Sequence, residues 1–170
     1  MNTVDFMKVL PDLFAEIVFG SSDKSKNTYM LNRGDDGLLG SLDRVSASAA
    51  SSTHAGGGSI AAHAEHLRYG FSLVNQWASG AKDPWKDADW TRAWKKPVVS
   101  EEEWRALRDA LRREAEAWHR ELGIEREVSD TAAHWVVGTV THTAYHLGAI
   151  RQIDRGARGP TAEDERALKA

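Results

Sequence analysis

The chemistry this chain could carry rests on its histidines. His142 and His146 lie four apart within Ser129–Asp154, a proline-free run with helix-like patterning. On a helix, residues i and i+4 leave the same face one turn apart. Two neutral imidazoles placed so suit a single divalent metal ion. The competing reading is a polar pair in the core. Adjacent buried imidazoles would then need separate hydrogen-bond partners if neutral and would repel if both were charged.

A third ligand must come from another helix. The 170 residues include no cysteine, so thiolate ligands and disulfides are excluded and any metal site is built from His, Asp, Glu and water. His63 and His66 sit near the start of the helix expected after the glycine run Gly56-Gly57-Gly58. The two are expected to point in different directions. His63 lies nearer the apolar arc of Ile60, Ala64, Leu67, Phe71, Val74 and Ala78, so amphipathicity mildly favours it, and spacing alone leaves both open. His54 in the glycine loop, His119 beside Trp118, and His134 read as surface or packing histidines, because none shares a ligand-like spacing with the pair. His134 is the one to reconsider, since Trp135 shares the face of the pair.

The elements that must position these rings are all helical. Thr3 can cap a first helix running to Phe19, with Pro11 as a kink or restart and Gly20 as the stop. Its apolar stripe is Phe6, Leu10, Leu13, Phe14, Ile17 and Val18. Asp35-Asp36-Gly37 leads into a short segment carrying Leu38, Leu39, Leu42 and Val45, and Ser46–Ser52 is small, polar and prone to fray. Ser59 caps a helix to about Ser79, with Gly80 ending it. The stretch from Ala81 to Val99 is long and irregular and holds Trp85, Trp90 and Trp94. Connections of that length are uncommon unless they serve a purpose, and the tryptophans point to a packed lid. Ser100 and Glu103 form a capping box for a helix with Trp104, Leu107, Leu111, Trp118 and Leu122 on one side and a solvated charged face on the other, stopped by Gly123. Ser129 or Asp130 caps the last long helix, on which Trp135, Thr139, His142, His146, Ile150 and Ile153 share a face. No strand-like alternation, hairpin turn signal or internal repeat is present. The expectation is an all-α bundle of four long helices with one extra short helix and a long Trp-rich connection, in one domain over residues 1–170 with a charged tail from 156.

Bulk properties narrow the function. Apolar residues make up 41% and charged residues 28%, a globular composition, and the net charge of −3 gives no electrostatic reason to expect nucleic acid. No apolar run approaches the length of a membrane span, and Met1–Asp5 lacks the basic start of a signal peptide. Together with the absence of cysteine this fits a cytoplasmic protein.

Two segments carry a resemblance. Ser59-Ile60-Ala61-Ala62-His63-Ala64-Glu65-His66-Leu67, taken with His142-Thr143-Ala144-Tyr145-His146-Leu147-Gly148-Ala149-Ile150, resembles the DinB-like (DinB/YfiT-like) superfamily of bacterial bundle proteins. The H-x-x-x-H-x-G segment on the last long helix is the more specific of the two. The resemblance covers both diagnostic segments and the helix order, roughly residues 36 to 155. It implies a four-helix bundle. It also implies that the first ligand is the histidine before an aliphatic residue, here His66 before Leu67, with His63 a neighbouring or substitute candidate. The implied set is His66, His142 and His146 around one divalent ion, zinc or nickel, often in a homodimer. The superfamily includes thiol-dependent S-transferases and isomerases, so the resemblance implies a small-molecule thiol and an electrophile as substrates. Metal-assisted hydrolysis and a non-enzymatic, stress-associated binding protein are the other readings. Three neutral imidazoles leave an ion its full charge and an open position, which favours activation of a coordinated thiol or water. Glu65 points about 100° away from His66 on an ideal helix and is a poor candidate base. Because the ligands must be unprotonated, the site is expected to lose its metal as pH falls below about 6.

Overall fold

The computed structural model describes residues 8–21, 27–53, 57–95 and 97–167. The described residues form α-helices and short 3-10 turns, with no strand among them. In chain order the helices are α1 (Leu10–Phe19), α2 (Gly37–Asp43), α3 (Ala47–Ala50), α4 (Ile60–Ala78), α5 (Glu101–Leu122), α6 (Asp130–Ile153) and α7 (Ala162–Ala167). No helix among them is long and apolar enough to cross a membrane.

Helices α4 and α5 form the most extensive pairing, α6 packs on the other side of α4, and α1 closes the ring by touching both α5 and α6. Each contributes an apolar stripe to one core. Phe14 and Ile17 of α1, Leu67 and Phe71 of α4, Trp104, Leu111 and Trp118 of α5, and Leu147 and Ile150 of α6 are all nearly inaccessible to solvent. The tryptophans are buried at no polar cost, because each indole N–H finds an acceptor. Trp104 Nε1 donates to the Val45 carbonyl at 2.7 Å, and Trp118 Nε1 donates to Thr139 Oγ1 at 2.9 Å.

The capping signals operate as the side chains suggest. Ser59, Ser100 and Ser129 each accept a backbone N–H three residues on, and Ser100 with Glu103 completes a reciprocal capping box. Three expectations change. Pro11 lies in the first turn of α1, where its missing N–H costs nothing, so it opens the helix instead of kinking it. The expected start at Thr3 and the stripe residue Phe6 lie outside the described residues, as does His54. The small-residue run 46–52 is ordered into α3: Ser46 caps it, Ala47 and Ala50 are buried, and Ser51 Oγ accepts from Val99 N at 3.0 Å. The buried stripe of α6 runs through Val136, Val140, Thr143, Leu147 and Ile150, one residue offset from the face expected for it, so His142 stands at its edge and is exposed.

Two buried charges tie the shorter segments down. Glu16 on α1 accepts the backbone N–H groups of Tyr29, Met30 and Leu31 at 2.7–3.1 Å. Asp35 accepts from both terminal nitrogens of Arg151 on α6, at 2.6 and 2.9 Å, and from Gly37 N at 2.8 Å. Here the ends of α1 and α2 cross backbone to backbone. Gly20 and Gly37 have φ of 82° and 68°, and a Cβ on Gly37 would lie 2.6 Å from the Gly20 nitrogen.

Candidate metal centre

Helices α4 and α6 place four imidazoles together. His63 and His66 stand one turn apart on α4, and His146 and His142 one turn apart on α6, in opposite chain sense. His63 therefore meets His146, and His66 meets His142. Both α4 rings face α6, contrary to the expectation that they diverge: i and i+3 are neighbours on a helix surface, and the antiparallel partner presents an i, i+4 pair to match them.

The nitrogens converge closely. His66 Nε2 lies 2.9 Å from His142 Nε2, and His146 Nε2 lies 3.1 Å from the same atom. His66, His142 and His146 each offer one ligand nitrogen, all within 4.8 Å of one another, so the three could hold a metal ion. With metal–nitrogen bonds of about 2.0–2.1 Å, these two spacings subtend about 90–100° at a shared ion, between the octahedral and tetrahedral ideals. Protons alone serve the junction poorly. A neutral imidazole has one N–H and one acceptor nitrogen, and His142 Nε2 faces two other ring nitrogens at once. The donor set therefore fits a divalent cation.

The electrostatics prepare the rings for that role. Burial, reinforced by the neighbouring His142 and His63, pushes His66 down to about 4. Burial, with repulsion from His142, His63 and His66, pushes His146 down to about 3. Burial also lowers His63 and His142. All four are thus uncharged near neutrality, the form in which imidazole is a ligand. Exposure is graded across the three: His142 is exposed, His66 half-buried, and His146 only 3% exposed.

The Trp-rich connection covers the site. Trp94 lies in a 3-10 turn, Arg92–Lys95, that packs on α4. Its ring centroid is 5.2 Å from His63, 5.3 Å from His66 and 6.3 Å from His146. Trp90 sits 5.6 Å from His66 and 5.7 Å from Tyr69, and Trp85 packs on Trp135 of α6 at 3.8 Å. Ser59 holds the end of the connection by donating to the Pro97 carbonyl at 2.7 Å. Gly58 makes room for the cover, since a Cβ there would lie 2.6 Å from Trp94 Cζ3.

Among the described residues, the other two histidines lie elsewhere. His119 packs between Phe14 and Phe19, and His134 is exposed, with Nδ1 2.6 Å from the Asp130 carbonyl. Glu65 is taken up by Arg68, at 2.6 and 2.8 Å. A cleft of about 1080 Å³ lies toward the C-terminal end of α4, lined by Trp77, Trp118, Leu122, Arg126 and Val136 among others, and none of the four clustered histidines lines it. Sequence reasoning left Trp94 as one of three lid tryptophans. The signal that singles it out is its spacing from Gly58 and Ser59, which only the fold reveals. In comparisons with known proteins, no family model, no curated protein and no solved structure matches this chain.

Proposed function

We propose that the chain is a metal-dependent enzyme of the DinB-like four-helix-bundle kind, with His66, His142 and His146 as ligands to one divalent ion, zinc or nickel. The observation that carries the reading is the convergence of three uncharged imidazole nitrogens beside an exposed edge, with spacings that suit one ion. The reaction that best fits is transfer of a small-molecule thiol onto an electrophile, in a protein that works as a homodimer.

A divalent ion held by His66, His142 and His146 would supply Lewis-acid activation of a thiol or water. The chain's own residues do the rest. The three histidines fix the position of the nucleophile. Trp90 and Trp94, each about two-fifths exposed, offer an apolar wall beside the ligands against which a carbon electrophile can lie out of water. In the transfer, sulfur forms the new bond to the electrophilic carbon, the leaving group departs with its electron pair, and the thiol proton passes to solvent. His142 is exposed, so the cluster is not sealed from solvent, which supports an open site over a closed structural one. Hydrolysis fits less well, because Glu65 is occupied by Arg68 and is not free to act as a base toward water.

The test is metal analysis of untagged protein. Stoichiometric metal in the parent, lost in His66→Ala, His142→Ala and His146→Ala, is the expected result. Sub-stoichiometric metal that falls no further in the variants overturns the reading. A thiol-consumption screen with several cellular thiols and electrophiles then tests the reaction; no metal-dependent consumption rejects the transferase.

A further inference from the structure

The metal reading leaves one imidazole of the cluster unassigned, and its geometry is specific. His63 Nδ1 lies 2.7 Å from His146 Nδ1, with ring centroids 4.9 Å apart and planes inclined at 62°. His146 therefore has a partner on each ring nitrogen: His142 at Nε2 and His63 at Nδ1. His63 approaches the edge of the ring away from the proposed ligand nitrogen. The nitrogens that come within 4.8 Å of one another are those of His66, His142 and His146.

We propose that His63 is a positioning residue for His146: its Nδ1 accepts the Nδ1–H of His146 and fixes that ring in the tautomer whose Nε2 lone pair faces His66 and His142. The inference rests on the metal reading above and goes beyond the ligand set. The direction of the bond follows from it. If Nε2 of His146 is a ligand, the ring's only N–H is at Nδ1, which must donate. His63 then accepts and carries its own proton at Nε2.

Three further features support the assignment. The His63 ring is seated edge-on against Trp94 at 5.2 Å, so its orientation is set by packing. Gly58 lies against its other nitrogen, where even an added Cβ would stand 3.5 Å from Nε2. In contrast, His66 Nδ1 is buried with no hydrogen-bond partner among the described residues, so the orienting contact is particular to the His146 side. A hydrogen bond to the far nitrogen of a ligand histidine fixes its tautomer and raises its basicity, and losing such a partner typically costs 10- to 100-fold in metal affinity.

The experiment measures zinc affinity of the full-length chain by competition with a chelator, zinc being the only added ligand. Four proteins are compared: the parent, H63A, H63N and H63Q. An asparagine places its Oδ1 where the histidine has Nδ1, whereas glutamine places its oxygen nearer the Nε2 position. The expected result is affinity close to the parent for H63N and a loss of about 10- to 100-fold for H63A and H63Q. H63N as weak as H63A would mean that ring packing on Trp94 matters and the hydrogen bond does not, which overturns the proposal. H63A as tight as a zinc-binding parent also overturns it and leaves the metal reading standing. A parent that binds no zinc overturns the metal reading and takes this inference with it. If H63A fails to fold, as judged by far-ultraviolet circular dichroism, the contrast between H63N and H63Q decides.

Discussion

Trp94 lies over His146 with ring planes 28° from parallel and centroids 6.3 Å apart. The indole rests on a buried imidazole while two-fifths of its own residue surface remains open to solvent. It is thus part of what covers His146 on the side of the connection. It lies there because Gly58 has no side chain.

The first prediction follows from that clearance. Gly58→Ala puts a Cβ 2.6 Å from Trp94 Cζ3, so the indole packed beside the three histidines or the backbone at residue 58 must shift. The variant is expected to keep its helix content and to release bound zinc to a chelator faster than the parent. Unchanged release kinetics would show that Trp94 does not cover the site.

A second prediction concerns acid. The folded values of His66 and His146, about 4 and about 3, lie below the 6.5 of a free imidazole. Between 6.5 and those values the unfolded chain binds protons that the folded chain does not, so acid favours unfolding there. The metal-free protein should be fully stabilised by these groups above 6.5 and lose that contribution progressively as pH falls toward 4 and then 3. Urea titrations across this range measure it, and a flat stability profile would contradict the burial. The same lowering bears on metal loss: an ion held by these three rings would be retained further into acid than the loss below about pH 6 expected of unshifted histidines. Equilibrium dialysis with zinc across a pH series checks it, and loss of metal already at about pH 6 would contradict it.

A third prediction concerns the fold. Asp35 is 2% exposed and depends on Arg151 for its countercharge. Arg151→Met strips a buried carboxylate of that partner, which typically costs about 3–5 kcal/mol. Urea unfolding should show a loss of that order, and the double variant Asp35→Leu with Arg151→Met should be less destabilised than the single one. A single variant as stable as the parent would mean that Gly37 N and solvent suffice for the carboxylate.

Much of the scaffold was legible because local signals and tertiary packing agree. Ser59, Ser100 with Glu103, and Ser129 all cap where a short polar side chain precedes an apolar period. The close approach of His142 and His146 followed from helical spacing. Other features were not legible because they are relations between segments. Amphipathicity mildly favours His63, since an apolar arc marks burial and not convergence; His63 does face α6, but against the far nitrogen of His146. Asp35 with Arg151, separated by 116 residues, and Glu16 with Tyr29–Leu31 carry no periodic signature, as a buried charge reads in sequence like any surface charge. The offset of the α6 stripe arises at His142, which is exposed while His146 is buried; Thr143 occupies the centre of the stripe and bonds its hydroxyl back to the Thr139 carbonyl at 2.6 Å.

The proposed ligands come from only two helices, and His66 and His142 are 76 residues apart in the chain. An ion gripped by both would act as a reversible crosslink closing that loop, with α5 and the Trp-rich connection inside it. Sliding α4 along α6 would then stretch coordination bonds as well as side-chain packing. Metal supply would become a mechanical variable: filling the site stiffens the seam between the two helices and raises resistance to unfolding by mass action, about 2.7 kcal/mol when free metal stands at 100 times its dissociation constant.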